Sequence, residues 1–96
     1  MTAPYRSTPV FTDQTLPGAL RREHRTKAGV WGMIHVLEGS LMLRFADGEP
    51  DLLLAPGVPG LVKPEQTHWA EPTGPMKMRI DFYDCEPGLE DRAEQA

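Results

Sequence analysis

Arg25-Thr-Lys-Ala-Gly-Val-Trp-Gly-Met-Ile-His-Val-Leu-Glu-Gly-Ser-Leu-Met-Leu-Arg44 is the stretch whose reading decides the fold. Val, Ile, Trp and Leu dominate it, and such residues suit a pleated, packed surface. It reads as a strand over 30–37, a turn at Glu38, Gly39 and Ser40, and a return strand over 41–45. Side chains alternate across a strand. Val30, Gly32, Ile34 and Val36 therefore share one face, and Trp31, Met33, His35 and Leu37 share the other. Both faces are largely apolar, so both must be covered. A barrel wall with a second sheet or a homodimer partner outside it would satisfy that demand. In the return strand, Leu41, Leu43 and Phe45 share a face.

Outward from this hairpin the chain is cut into short pieces. Ten prolines and nine glycines fall among 96 residues, and such residues mark turns. Short strands are expected over 52–54, 61–62, 68–70 and 76–83. In the last of these, Met76, Met78, Ile80 and Phe82 alternate with Lys77, Arg79, Asp81 and Tyr83, the pattern of a half-buried strand. Residues 19–24 read as a strand, with a helix over 17–23 competing. Interior proline costs a helix ~3 kcal/mol, so at most a turn or two of helix is expected. The fold class is all-β, a small sandwich or barrel. Residues 1–96 form one domain on this reading, with a polar arm over 1–15 that holds an edge strand around Val10 and Phe11. A polar, acidic tail over 86–96 is expected to fray.

Charge and composition exclude several classes. The net charge of -4 argues against nucleic acid, which requires a concentrated basic surface. The cluster Arg21-Arg22-Glu23-His24-Arg25-Thr26-Lys27 is short and interrupted by Glu23, and reads as a solvated strand face. No apolar run approaches the ~18 residues of a membrane span. A lone Cys85 excludes an internal disulfide framework and fits a reducing compartment, so a cytoplasmic protein is expected. No Ser-His-Asp order, phosphate-cradling glycine loop or paired-carboxylate spacing occurs.

Leu16-Pro17, His24-x-Thr26-Lys27-x-Gly29-x-Trp31-Gly32, Val36-Leu37-Glu38-Gly39 and Pro64-x-x-x-His68 together resemble the tellurite-resistance TehB/YeaR-like domain family. The resemblance covers most of the chain, from Leu16 to Tyr83. It implies a cupin-like jelly-roll β-barrel with a pocket at one end, where metal-binding cupins hold a divalent ion. His24 matches the first histidine of the cupin motif, with Thr26 in place of the second and Gly32 in place of the glutamate. His68 matches the histidine of the second motif. In some proteins such a domain is fused to a methyltransferase; no methyltransferase sequence is expected in this chain.

His24 and His68 are accordingly the expected metal ligands, for Zn, Fe or Ni. Thr26 and Lys27 belong to the expected pocket rim, where a hydroxyl and an ammonium would receive a water or an anion. Trp31 is read as a pocket or core residue. His35 shares its face, outside a barrel whose interior takes Ile34 and Val36. A register shift of one residue would turn His35 inward as a third ligand. Asp81 is expected to pair with Lys77 or Arg79. The first functional expectation is a small protein that binds a divalent metal or a small ligand, linked to stress or oxyanion resistance. A metal-dependent oxygenase or isomerase and a metal-free dimeric structural or regulatory module are the alternatives.

Overall fold

A computed structural model describes residues 3–87. Eight strands and one short 3-10 helix account for its regular structure: β1 (Arg6–Ser7), β2 (Phe11–Thr12), the helix (Gly18–Arg21), β3 (Trp31–Glu38), β4 (Leu41–Phe45), β5 (Leu52–Leu54), β6 (Gly60–Val62), β7 (His68–Pro72) and β8 (Lys77–Tyr83). They make two antiparallel sheets. One runs β1-β8-β3-β6, with β2 also on β8, and the other runs β5-β4-β7. The barrel expected from the sequence does not close. Each sheet keeps its own edges, and an isolated bridge between His24 and His68 lies outside the named strands.

The core lies between the sheets. Ile34, Val36, Val62, Met78 and Ile80 meet Leu41, Leu43, Leu54 and Ala70 there, closed by Leu16 and Met76. Gly60 on β6 makes room for this contact, since a Cβ there would press on the terminal methyls of Leu43 and Leu54. The strand expected over 19–24 is instead the 3-10 helix. Pro17 leads into it, and Leu20 donates its N–H to the Pro17 carbonyl at 3.0 Å. β1 was not expected, because two exposed polar residues carry no apolar alternation. Only edge pairing with β8 defines it. Of the acidic tail expected over 86–96, residues 88–96 lie outside the described residues.

β3 is buried on both faces within a single chain. Ile34 and Val36 point into the core, while Met33 and His35 on the opposite face are 2% and 5% exposed. At the two ends of that face Trp31 is half-buried and Leu37 remains 40% exposed. β8 behaves similarly. Asp81 and Tyr83 are buried, so only part of its second face is solvated, rather than the whole of it.

The β3–β4 turn depends on Gly39. Its φ is +75°, and a Cβ there would run into the backbone carbonyl oxygen of Pro75. Positive φ is costly for any residue with a side chain, and a backbone atom cannot swing aside. Gly39→Ala is therefore expected to lower unfolding free energy by roughly 2–3 kcal/mol. Urea denaturation tests this. A midpoint within error of the parent's would show that the turn re-forms without glycine.

Candidate functional site

A cleft of about 260 Å³ opens where the two sheets part. Its floor is apolar, with Ile34 from β3, Val62 from β6, and Ile80 and Phe82 from β8. Gly32 belongs to this floor, and a Cβ there would meet Val62 and Ile80 only at ordinary contact distances of 3.7 and 3.8 Å. Leu20 of the 3-10 helix forms part of one wall. Val30 also lines it, and the rest is polar: Tyr5 and Arg6 at β1, the segment from His24 to Lys27, and His68 at the start of β7.

His24 and His68 meet because their backbones do. Each N–H donates to the other's carbonyl, at 3.0 Å from His24 and 2.8 Å from His68. Such a pair sends both side chains to the same side of the ladder. The ring centroids are 4.1 Å apart, with the planes tilted by 55°. Both rings are held from the backbone two residues earlier. Nδ1 of His24 lies 2.9 Å from the Arg22 carbonyl, and Nδ1 of His68 lies 2.7 Å from that of Gln66. A carbonyl only accepts, so Nδ1 carries the proton in each ring. Burial pushes the His68 imidazole below its ordinary pKa; the Gln66 carbonyl opposes this and His24 adds to it.

The rim is cationic. Arg6 lies over the Phe82 ring at 5.0 Å, a cation–π arrangement that holds it at the edge of the floor. Arg25 and Lys27 are exposed beside it. Thr26 between them is tied down, its hydroxyl donating to the Lys63 carbonyl at 3.2 Å and its own carbonyl accepting from Glu65 at 3.2 Å. Among the described residues no aspartate or glutamate lines the cleft.

Among the residues singled out from sequence, the structure brings His24, Thr26, Lys27 and His68 to this cleft and places Trp31 and His35 elsewhere. His35 lies on the outward side of β3, with Nε2 3.1 Å from Asp81. Asp81 also accepts from Ser7 at 2.7 Å and from Arg79 at 3.2 Å. Of the two expected partners, Arg79 is thus the one that pairs with Asp81, while Lys77 pairs with Glu38. Arg25 lies in the basic cluster, and the reading of that cluster as a solvated strand face does not single it out. Alternation along β8 marked Phe82 as inward-facing but not as part of a site, and nothing in the sequence marked Tyr5 or Arg6.

The expected divalent metal does not fit this donor set. Among the described residues no group of three or more His, Cys, Asp and Glu side chains could hold an ion. Two imidazoles ringed by Arg6, Arg25 and Lys27 leave a dication without charge compensation.

The chain belongs to the TehB-like domain family, whose model matches residues 6–80. Over 37 residues it is 43% identical to the probable S-adenosyl-L-methionine-dependent methyltransferase TehB of Haemophilus influenzae, covering 38% of this chain and 13% of that protein. The crystal structure of H. influenzae TehB superposes with a TM-score of 0.76 at 28% identity, over 86% of this chain and 31% of that one. A protein from E. coli strain K12 superposes with a TM-score of 0.78 at 25% identity, over 90% of this chain and 93% of that one. The chain thus spans a small part of TehB. This family membership, with the donor set, overturns the expectation of a metal-binding cupin and of a metal-dependent oxygenase or isomerase. The cofactor in the relative's name is S-adenosyl-L-methionine, not a divalent metal.

Burial also pushes the His35 imidazole below its ordinary pKa of 6.5; Asp81 pulls it back and the nearby Arg79 adds to the depression. As pH falls below about 6.5, the unfolded chain takes up these protons before the folded one does. Stability is therefore complete above that pH and declines as pH falls through the lowered folded-state values. The slope is at most about 1.4 kcal/mol per pH unit for each such histidine. Chemical denaturation between pH 7 and 5 checks this, and His35→Gln is expected to make the decline shallower. A variant with the parent's slope would remove His35 from the effect.

Proposed function

We propose that this chain is the ligand-holding domain of a TehB-type methyl-transfer system, and that its cleft takes a small anionic molecule with an apolar portion. The observation that carries this reading is an inversion of charge. The chain has a net charge of -4, yet the cleft presents Arg6, Arg25 and Lys27 and, among the described residues, no carboxylate. A concave site lined by one sign of charge on low-dielectric walls concentrates counter-ions. The floor of Ile34, Val62, Ile80 and Phe82 covers whatever part of the ligand is not charged.

At about 260 Å³ the cleft lies near the lower end of the ~300–1,000 Å³ range of ligand pockets, a size that suits a small anion. Its cationic rim is the ground for assigning it to the acceptor side of methyl transfer, and the link to oxyanion resistance implied by the family resemblance agrees with a site for anions. Residues 1–96 act in this reading as one domain with a jelly-roll-like arrangement of its two sheets. No described helix is long and apolar enough to cross a membrane, and Cys85 is an exposed free thiol, which suits the cytoplasm.

Titration calorimetry with small carboxylates, inorganic oxyanions and S-adenosyl-L-methionine tests this reading. At least one small anion should bind, more weakly as salt rises. Arg25→Ala and Lys27→Ala should each weaken it by about two- to fivefold. Absence of binding by every small anion at millimolar concentration, or binding of S-adenosyl-L-methionine alone, would overturn it.

A further inference from the structure

The imidazole pair imposes a requirement that charge alone does not. With Nδ1–H of His24 committed to the Arg22 carbonyl and that of His68 to the Gln66 carbonyl, the polar atom left on each neutral ring is Nε2. It carries a lone pair and no proton, so it accepts and cannot donate. His68 is only 4% exposed and lines the cleft. Among the described residues, the one hydrogen bond of its ring is that of Nδ1, so the acceptor Nε2 is unspent. The other polar side chains there are the donors Arg6, Arg25 and Lys27, and the hydroxyls of Tyr5 and Thr26. The proton of the Thr26 hydroxyl is spent on Lys63.

We infer that His24 and His68 select the ligand: the cleft takes an anion that also carries an O–H donor, in preference to an anion of equal charge and shape without one. This rests on the anion-holding reading above and narrows it. Anionic oxygens face the guanidinium and ammonium groups, and the hydroxyl donates to an imidazole Nε2. An anion with oxygen lone pairs on every side sets one of them against the Nε2 lone pair. A buried acceptor left facing another acceptor keeps its desolvation cost without compensation. Two sources share the favoured chemistry, a partly protonated inorganic oxyanion and a small hydroxycarboxylate.

Two matched pairs of probes decide the matter at pH 8, above the ordinary imidazole range. Hydrogen phosphate and sulfate are both tetrahedral dianions at that pH, and only phosphate bears a proton. Lactate and propionate share a carboxylate and differ by a hydroxyl. In calorimetry or chemical-shift titration at constant ionic strength, the donor-bearing member of at least one pair should bind about tenfold more tightly. The pair showing this preference identifies the source. His24→Phe and His68→Phe should bring the ratio towards one, whereas His24→Gln and His68→Gln, which keep an acceptor, should retain part of it. His24 is half-buried, so its variants remain informative if His68→Phe does not fold.

Equal binding within both pairs, or tighter binding of sulfate and propionate, would overturn the inference and leave the anion reading standing. A preference that survives both phenylalanine substitutions would also overturn it. If none of the four probes binds, the anion reading itself is refuted for ligands of this size.

Discussion

Burial of β3 on both faces is the constraint on which the rest of the structure depends. A strand with Ile34 and Val36 on one side and Met33 and His35 on the other cannot sit at the surface of a one-sided sheet. The second sheet covers the first pair and forms the core. The second pair is buried within the chain as well. Because β3 pairs with β6 on one edge and β8 on the other, its position sets that of the cleft floor.

The outward face of β3 shows how a polar group is accommodated in such a place. His35 is buried, and a buried imidazole without a partner would be costly. It has Asp81, which in turn is held by Ser7 and Arg79. Three strands are joined through that carboxylate. β1, only two residues long, owes part of its placement to the Ser7 hydroxyl rather than to packing.

The cleft arises from the failure of the sheets to close. A barrel would have paired the strand edges near His68. Here the His24–His68 bridge spans that region, with Thr26 tied to Lys63 and Glu65, and beyond it the apolar floor stays open to a cationic rim. The consequence is a positively charged hollow on an acidic protein, where paired imidazoles contribute lone pairs and the flanking side chains contribute positive charge. Such a division of labour suits recognition of a small polar molecule. It does not suit coordination of a dication.

Local pattern was sufficient for most of the strands. Period-two alternation and the turn residues around Gly39, Gly48 and Gly57 depend on near neighbours alone, so β3, β4, β5 and β8 were legible in the chain within a residue or so at their ends. The same local signals could not separate a strand from a 3-10 turn over 18–21, where Leu and Arg suit several conformations and only the Pro17 carbonyl contact decides. They could not reveal β1, which is defined by its partner. Nor could they say whether the sheet would close, since closure depends on edges distant in sequence. His24, Thr26, Lys27 and His68 stood out as chemistry-bearing residues. Their meeting with Arg6 and Phe82, more than 70 positions apart in the chain, exists only once β1 lies along β8. Residue type and alternation determined which segments would pleat and which faces would be buried. Long-range pairing alone decided that two histidines 44 positions apart share a bridge, that the hollow beside them carries positive charge, and that His35 faces a carboxylate instead.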